Sequence, residues 1–229
     1  MAELTAYELA EGVATIALDD GKVNAFSIAM LEAVHADLDR AEQDEAVVVI
    51  TGREGYFSAG FDLKVFSEEP ERIVEMLTLG ATLCERVLAF PRPVLVACSG
   101  HAIAAGSFLP LAADLRIGVE GPFKLGLNEV KIGLTVPLFV VELARQRLQP
   151  TYFDRAVVNA TMFDPAGAVA AGFLDRAVPP GEFPARVQEG AAELAGLDAD
   201  AHAATKLRAR APAIKAIRAA IEEELAAAG

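Results

Sequence analysis

Two short runs, Val47–Ile50 and Val94–Cys98, are apolar in every register, and they constrain this chain more than any other feature. An alternating strand can leave one face in water, but a wholly apolar one has to be covered on both. An amphipathic helical pattern precedes each run and can supply that cover. Ahead of Val47, Ser27 is placed as an N-cap, with Phe26 and Leu31 at the two positions of a hydrophobic staple. Leu31, Val34, Leu38 and Ala41 continue one apolar face to about Gln43. Ahead of Val94, a second helix is expected from about Pro70, presenting Ile73, Met76, Leu77, Leu83, Val87 and Leu88. Pro91 and Pro93 end it.

Elsewhere, Leu4–Leu9 and Val13–Leu18 around Glu11-Gly12 read as a β-hairpin, followed by a turn at Asp19-Asp20-Gly21. Leu115–Val119 and Phe123–Leu125 read as short strands, and a Gly-Ala-rich turn after Cys98 opens a helix near Ala104. From Val136 the pattern is helical apart from a strand at Leu174–Val178. Pro179-Pro180-Gly181 is the best linker, dividing a core of residues 1–180 from a helical region, 181–229. Strand–helix–strand units with a helical tail predict an α/β core and a C-terminal helical appendage.

Composition narrows the function. With 229 residues and 53% hydrophobic content the chain can bury a sizeable core, yet no apolar run approaches the roughly 20 residues of a bilayer span. Met1–Ala10 has two glutamates and no basic stretch, unlike a secretory leader. Cys84 and Cys98 lie far apart in apolar segments without metal or redox spacing, reading as buried thiols of a reducing compartment. A cytoplasmic protein is expected. A net charge of −13 argues against nucleic acid and anionic membranes as partners. An anionic small molecule remains compatible if cations cluster locally. Ala201–Ile221 holds no acidic residue but contains Lys206, Arg208, Arg210, Lys215 and Arg218, which otherwise read as a solvated helix face.

Three segments can carry chemistry. In Phe57-Ser58-Ala59-Gly60-Phe61-Asp62-Leu63-Lys64, small residues let a ligand approach the backbone, and Asp62 fits a helix N-cap. Gly100-His101-Ala102-Ile103-Ala104-Ala105-Gly106-Ser107 opens a helix whose first N–H groups have no intrahelical partner and suit a developing oxyanion. Pro110 should kink that helix or mark it as irregular, and the lone His101 reads as structural. In Gly126–Leu134, Glu129 stands among apolar residues. It is an ordinary surface acid or, if buried, a carboxylate of raised basicity suited to abstracting a proton.

In this order and at these separations, and together with Lys22-Val23-Asn24-Ala25-Phe26, the three segments resemble the crotonase (enoyl-CoA hydratase/isomerase) family over about Leu4–Val178. The resemblance implies a crotonase-like spiral of ββα units, C-terminal helices that assemble trimers or hexamers, and an acyl-CoA thioester substrate. No cofactor is implied beyond the coenzyme A of the substrate itself, and no metal. Backbone N–H groups of Phe61 and Ala105 would form an oxyanion hole. Lys22, Asn24, Ala25, Ala59, Gly60, Asp62, Leu63 and Lys64 would line the CoA, Gly106 and Phe108 would adjoin the acyl group, and Lys206 would supply a cation from the tail.

One departure matters. Hydratases of this family hold their water with two glutamates, and the first of those positions is Phe108 here, between Ser107 and Leu109. Hydration needs a base for water and an acid for carbon. A single carboxylate can instead shift a double bond from C3–C4 to C2–C3 through a dienolate, and the Gly126–Gly133 stretch looks like the Δ3,Δ2-enoyl-CoA isomerase branch. The alternatives are a weak hydratase, another thioester reaction such as hydrolysis, or a non-catalytic acyl-CoA binder. An exposed Glu129 paired to Lys124 or Lys131 would favour the binder.

Overall fold

The computed structural model describes residues 3–228, so Met1 and Ala2 of the N-terminal stretch lie outside the described residues. The hairpin forms as β1 (Thr5–Ala10) and β2 (Val13–Leu18), paired antiparallel from Thr5↔Leu18 to Ala10↔Val13. After it, each circuit of the chain lays one strand in a large sheet, one or two in the smaller sheets, and then helix. The first circuit adds β3 (Ala25–Phe26) and α1 (Ile28–Gln43) to β2. The second comprises β4 (Val47–Thr51), β5 (Gly55–Ser58), β6 (Gly60–Phe61), α2 (Leu63–Glu68) and α3 (Ile73–Ala89). The third is β7 (Val94–Cys98), β8 (Gly100–Ile103) and α4 (Phe108–Ala112); the fourth is β9 (Leu115–Val119), β10 (Leu125–Gly126) and α5 (Leu138–Arg147). α6 (Pro150–Val157), α7 (Pro165–Ala171), β11 (Arg176–Val178), α8 (Phe183–Ala195) and α9 (Ala199–Ala228) complete the chain.

The strands stack into a six-stranded sheet, β1-β2-β4-β7-β9-β11, a three-stranded sheet, β10-β8-β5, and the pair β3-β6. Every pairing between these strands except the hairpin is parallel. This is the expected spiral, and its cause lies in the apolar runs. β7 is buried throughout and β4 up to Thr51, because helices cover both faces of the large sheet. On one face α1 and α3 close the main core; on the other, Ala191 of α8 packs on Val49, Leu95, Ala97 and Ile117. α9 buries Ile214, Ile217 and Ile221 in the main core.

Ser27 Oγ accepts the Met30 N–H at 3.2 Å, making the expected N-cap of α1. Some boundaries differ from the sequence reading. Gly100–Ile103 is a strand, since it pairs with both β5 and β10. The helix after it starts as a 3₁₀ turn, Ala104–Ser107, before α4. Pro110 therefore falls in the first turn of α4, where its missing N–H breaks no bond. Pro70–Arg72 is likewise a 3₁₀ turn ahead of α3, and the strand expected at Phe123–Leu125 forms at Leu125–Gly126, opposite Ala102 and Ile103. Among the described residues no helix is long and apolar enough to cross a membrane.

Candidate active site

The site begins with Asp20. Its Oδ1 accepts the N–H groups of Lys22 (2.7 Å) and Asn24 (2.9 Å), and its Oδ2 that of Ala25 (3.0 Å). Burial alone would raise its pKa, but these donors outweigh it and hold the carboxyl below its ordinary value. Asn24 is fully buried in the left-handed region, φ 53°. Its Nδ2 lies 3.0 Å from Leu18 O and 3.2 Å from both Tyr56 O and Phe57 O, while its Oδ1 accepts the Asp20 N–H. This corrects the assignment of Asn24 to CoA contact: its side chain fastens the loop to β5 and faces inward.

From that anchor the chain reaches β3, which pairs Ala25 with Gly60 and Phe26 with Phe61. Ser58 Oγ donates to Asn24 O at 2.6 Å and accepts the Gly60 N–H at 3.2 Å. Asp62 N–H donates to Phe26 O at 3.2 Å. Successive N–H groups of a strand point to opposite sides, so the Phe61 N–H is directed away from β3. On that side stands the turn after β8. A methyl on Gly60, whose φ is 97°, would lie 2.9 Å from Ile103 O and 3.2 Å from Ala105 N. One on Gly106 would lie 2.2 Å from Ser58 O. The two turns thus interlock through glycines, which bring the backbone of Gly60-Phe61 against that of Ala105. Gly106 is buried in this junction, so its part is close packing, not the ligand contact expected of it.

Ala105 N–H lies in the first turn of the 3₁₀ segment and has no intrahelical acceptor. Ala104 before it is held at φ 50°, a conformation costing an L-residue on the order of 1 kcal/mol. Ser107 Oγ donates to Ala102 O (2.6 Å) and accepts the Gly126 N–H (3.0 Å), which stitches this turn to β10. Two N–H groups on rigid, interlocked turns make an arrangement able to bind a carbonyl oxygen and the charge it develops.

Glu129 opens a 3₁₀ turn, Glu129–Ile132, shortly after β10. It is 6% exposed, and its Oε2 has no hydrogen-bond partner. Burial pushes its pKa up, against a smaller opposing effect of its own N–H. Among the described residues it forms no ion pair with Lys124 or Lys131. Phe108 is buried edge-on between the rings of Phe61 (6.0 Å) and Phe139 (5.7 Å). A small space of about 10 Å³ lined by Phe61, Ala105 and Phe108 adjoins them, at the bottom of the roughly 10–15 Å³ that one water needs.

At the rim, Lys22, Leu63 and Lys64 are exposed, and Ala25, Ala59 and Asp62 are half-buried. Asp62 Oδ1 accepts the Lys64 N–H at 3.0 Å as the N-cap of α2. Arg53, absent from the sequence reading, donates to Lys22 O at 3.1 Å and adds a cation beside that loop.

Lys206 requires a correction. It is buried in the chain's own interior, its Nζ donating to Phe90 O (3.0 Å), Arg92 O (3.2 Å) and Asp114 Oδ2 (2.6 Å). Arg210 lies 2.9 Å from Asp114 Oδ1, and Arg218 pairs with Glu85 at 2.6 Å. Lys206 has no donor left for a CoA phosphate. His101 is structural as expected: its Nδ1 accepts the Lys124 N–H, and its ring sits between Tyr56 and Phe123.

Comparison with known proteins agrees with this fold. An enoyl-CoA hydratase/isomerase family protein from Pseudomonas syringae superposes with TM-score 0.95 at 48% identity, covering 97% of this chain and 96% of that one. A Mycobacterium tuberculosis protein, called an enoyl-CoA isomerase in one solved structure and a probable enoyl-CoA hydratase in another, superposes with TM-score 0.93 at 42% identity, in the first case over 99% of both chains. The probable enoyl-CoA hydratase of Bacillus subtilis is 35% identical over 63% of this chain, and the mouse mitochondrial enoyl-CoA delta isomerase 1 is 29% identical over 73%. Those matches span 55% and 60% of the two relatives' own lengths. The sequence profile of the enoyl-CoA hydratase/isomerase family matches residues 8–227, and by that match over nearly its whole length the chain belongs to this family, the crotonases.

Proposed function

We propose that the protein is an enoyl-CoA isomerase, converting a 3-enoyl-CoA to the 2-enoyl-CoA. One observation supports this reading: Glu129 is a buried carboxylate whose Oε2 has no hydrogen-bond partner, while the buried Phe108 stands where hydratases resembling this chain carry their other glutamate. Glu129 takes a proton from C2, and the electron pair moves through the carbonyl carbon onto the thioester oxygen. The resulting dienolate is held by the Phe61 and Ala105 N–H groups. Glu129 then returns the proton at C4, the double bond settles at C2–C3, and the carboxylate is regenerated. The step calls for no redox group, since the substrate is neither oxidised nor reduced overall, and the two N–H groups take the charge that a Lewis acid would otherwise hold.

The turns Lys22–Ala25 and Ala59–Lys64 lie along the CoA, with the exposed Lys22 and Lys64 near its phosphates. The chain works as a homotrimer or a dimer of trimers. Val130, Ile132, Leu134 and Leu138, between 40% and 50% exposed just after Glu129, give such an assembly an apolar surface to cover. A non-catalytic binder has no use for an unpaired buried carboxylate, which is costly to keep.

A weak hydratase is the second reading, favoured by the likeness to the Bacillus subtilis protein. The test offers purified protein 3-hexenoyl-CoA and 2-hexenoyl-CoA separately and follows conjugation and hydration by absorbance. Loss of one of two catalytic carboxylates costs about 10²–10⁴, so isomerisation should exceed hydration by at least 100-fold. Robust formation of 3-hydroxyacyl-CoA would overturn the proposal.

A further inference from the structure

α3 carries Gly80 near its middle, on the face turned to the core. Glycine is the poorest helix former after proline, so a buried one inside a helix calls for a packing reason. Here the reason is the ring of Phe61. A methyl at Gly80 would stand 2.6 Å from both Cε1 and Cζ of that ring, where ordinary carbon contacts lie at about 3.5–4.0 Å. The ring edge therefore rests directly on the helix backbone. Its other flank meets Phe108, with centroids 6.0 Å apart and planes at 76°. The same residue contributes one of the two N–H groups facing the carbonyl site. β6 is only Gly60–Phe61 and pairs with β3 alone, so hydrogen bonding secures this segment from one side.

We propose that Gly80 is a positioning residue for the oxyanion site, a notch in α3 that seats the Phe61 ring and thereby aims the Phe61 N–H. The inference rests on reading Phe61 and Ala105 as the carbonyl-binding pair. A ring held on two sides fixes Cβ, and with it the backbone torsions that orient the peptide plane. Adding a methyl at Gly80 requires the ring edge to retreat by about 1 Å to restore normal contact. Donors of this kind act at about 2.7–3.1 Å, and a misplacement of about 1 Å can cost roughly 100-fold. The opposite change, a side chain too short to reach the notch, leaves the segment loose.

The test measures kcat and KM with 3-hexenoyl-CoA and, independently of turnover, the thioester C=O stretch of bound 2,4-hexadienoyl-CoA by infrared difference spectroscopy. Gly80→Ala should lower kcat by about 10- to 100-fold and cancel most of the downshift in carbonyl frequency. Its KM should stay within about threefold, because the exposed lysines of the CoA path are untouched. Phe61→Leu, which leaves the notch empty, should also weaken the carbonyl shift. The double variant, in which the new methyl fills the space the ring vacated, should recover both quantities beyond either single change. If Gly80→Ala does not fold, Phe61→Leu compared with the double variant makes the same distinction. A carbonyl shift that survives in the folded single variants, or a double variant no better than the worse single one, overturns the role of Gly80. Absence of any downshift in the wild-type protein overturns the carbonyl-binding pair itself, and the inference with it.

Discussion

The side chain of Asp114, after α4, is 8% exposed and has a donor on each oxygen: Val94 N–H at 2.7 Å and Lys206 Nζ at 2.6 Å on Oδ2, Arg210 at 2.9 Å on Oδ1. Glu129 is also buried, yet its Oε2 has none. A fully paired buried carboxylate ties elements together; in this chain it binds α9 to the end of α4 and the start of β7. An unpaired one is held at a cost, keeps a raised proton affinity, and is free to act on a bound molecule. Removing each carboxylate should therefore fail in a different currency: stability for Asp114, reaction for Glu129.

Glu129→Gln gives the largest contrast, lowering kcat by about 10²–10⁴ with acyl-CoA affinity nearly intact. Because the change also removes an unpaired buried charge, its melting temperature should equal or exceed that of the parent. A variant that keeps most of its isomerase activity would place the base elsewhere, and a sharp loss of stability would make Glu129 structural like Asp114.

Asp114→Ala leaves two buried cations without their partner, a defect that typically costs about 3–5 kcal/mol. Denaturant titration should show this loss, while the folded fraction keeps its kcat within about twofold. Normal stability would mean that the carbonyl acceptors of Lys206 and Arg210 suffice alone.

A subtler difference lies in pH. Glu129 must be ionised to act, so kcat/KM falls as pH drops through its pKa, with the midpoint above the ordinary 4.5. The sign for stability is opposite. A carboxyl whose folded pKa is raised imposes its cost above that pKa and is relieved as acid protonates it. Acid should thus silence the enzyme while this group alone favours the fold, and Glu129→Gln should erase that favourable contribution. A limb centred at the ordinary carboxylate value would refute the burial argument.

The smallest effect concerns the exposed cations. Neutralising Lys22 or Lys64 should weaken CoA binding about two- to fivefold at low ionic strength and negligibly at high salt. Lys206→Met should leave CoA affinity unchanged and lower stability instead. The reverse pattern would restore the tail to the ligand site.

The sequence by itself determined whatever depends on near neighbours. The apolar runs at β4 and β7 demanded cover on both faces whatever the topology, and Ser27 and Asp62 cap helices through N–H groups two or three residues on. Glu129 was legible as a carboxylate in apolar surroundings, whereas the comparison of Phe108 with a hydratase glutamate came from the family resemblance and not from near neighbours. Tertiary structure decided which groups meet. Lys206 looked like one cation on a basic helix face, but its partner Asp114 lies 92 residues earlier. Asn24 spans 32 and 33 residues to reach the carbonyls of β5, and Ser107 spans 19 to Gly126. Periodicity gave no sign that Gly80 is shaped by a ring across the core. Propensities and caps are energies of a few consecutive residues, whereas hydrogen-bond partners and steric notches arise only when distant segments are brought within 3–4 Å, a distance that one-dimensional spacing does not encode.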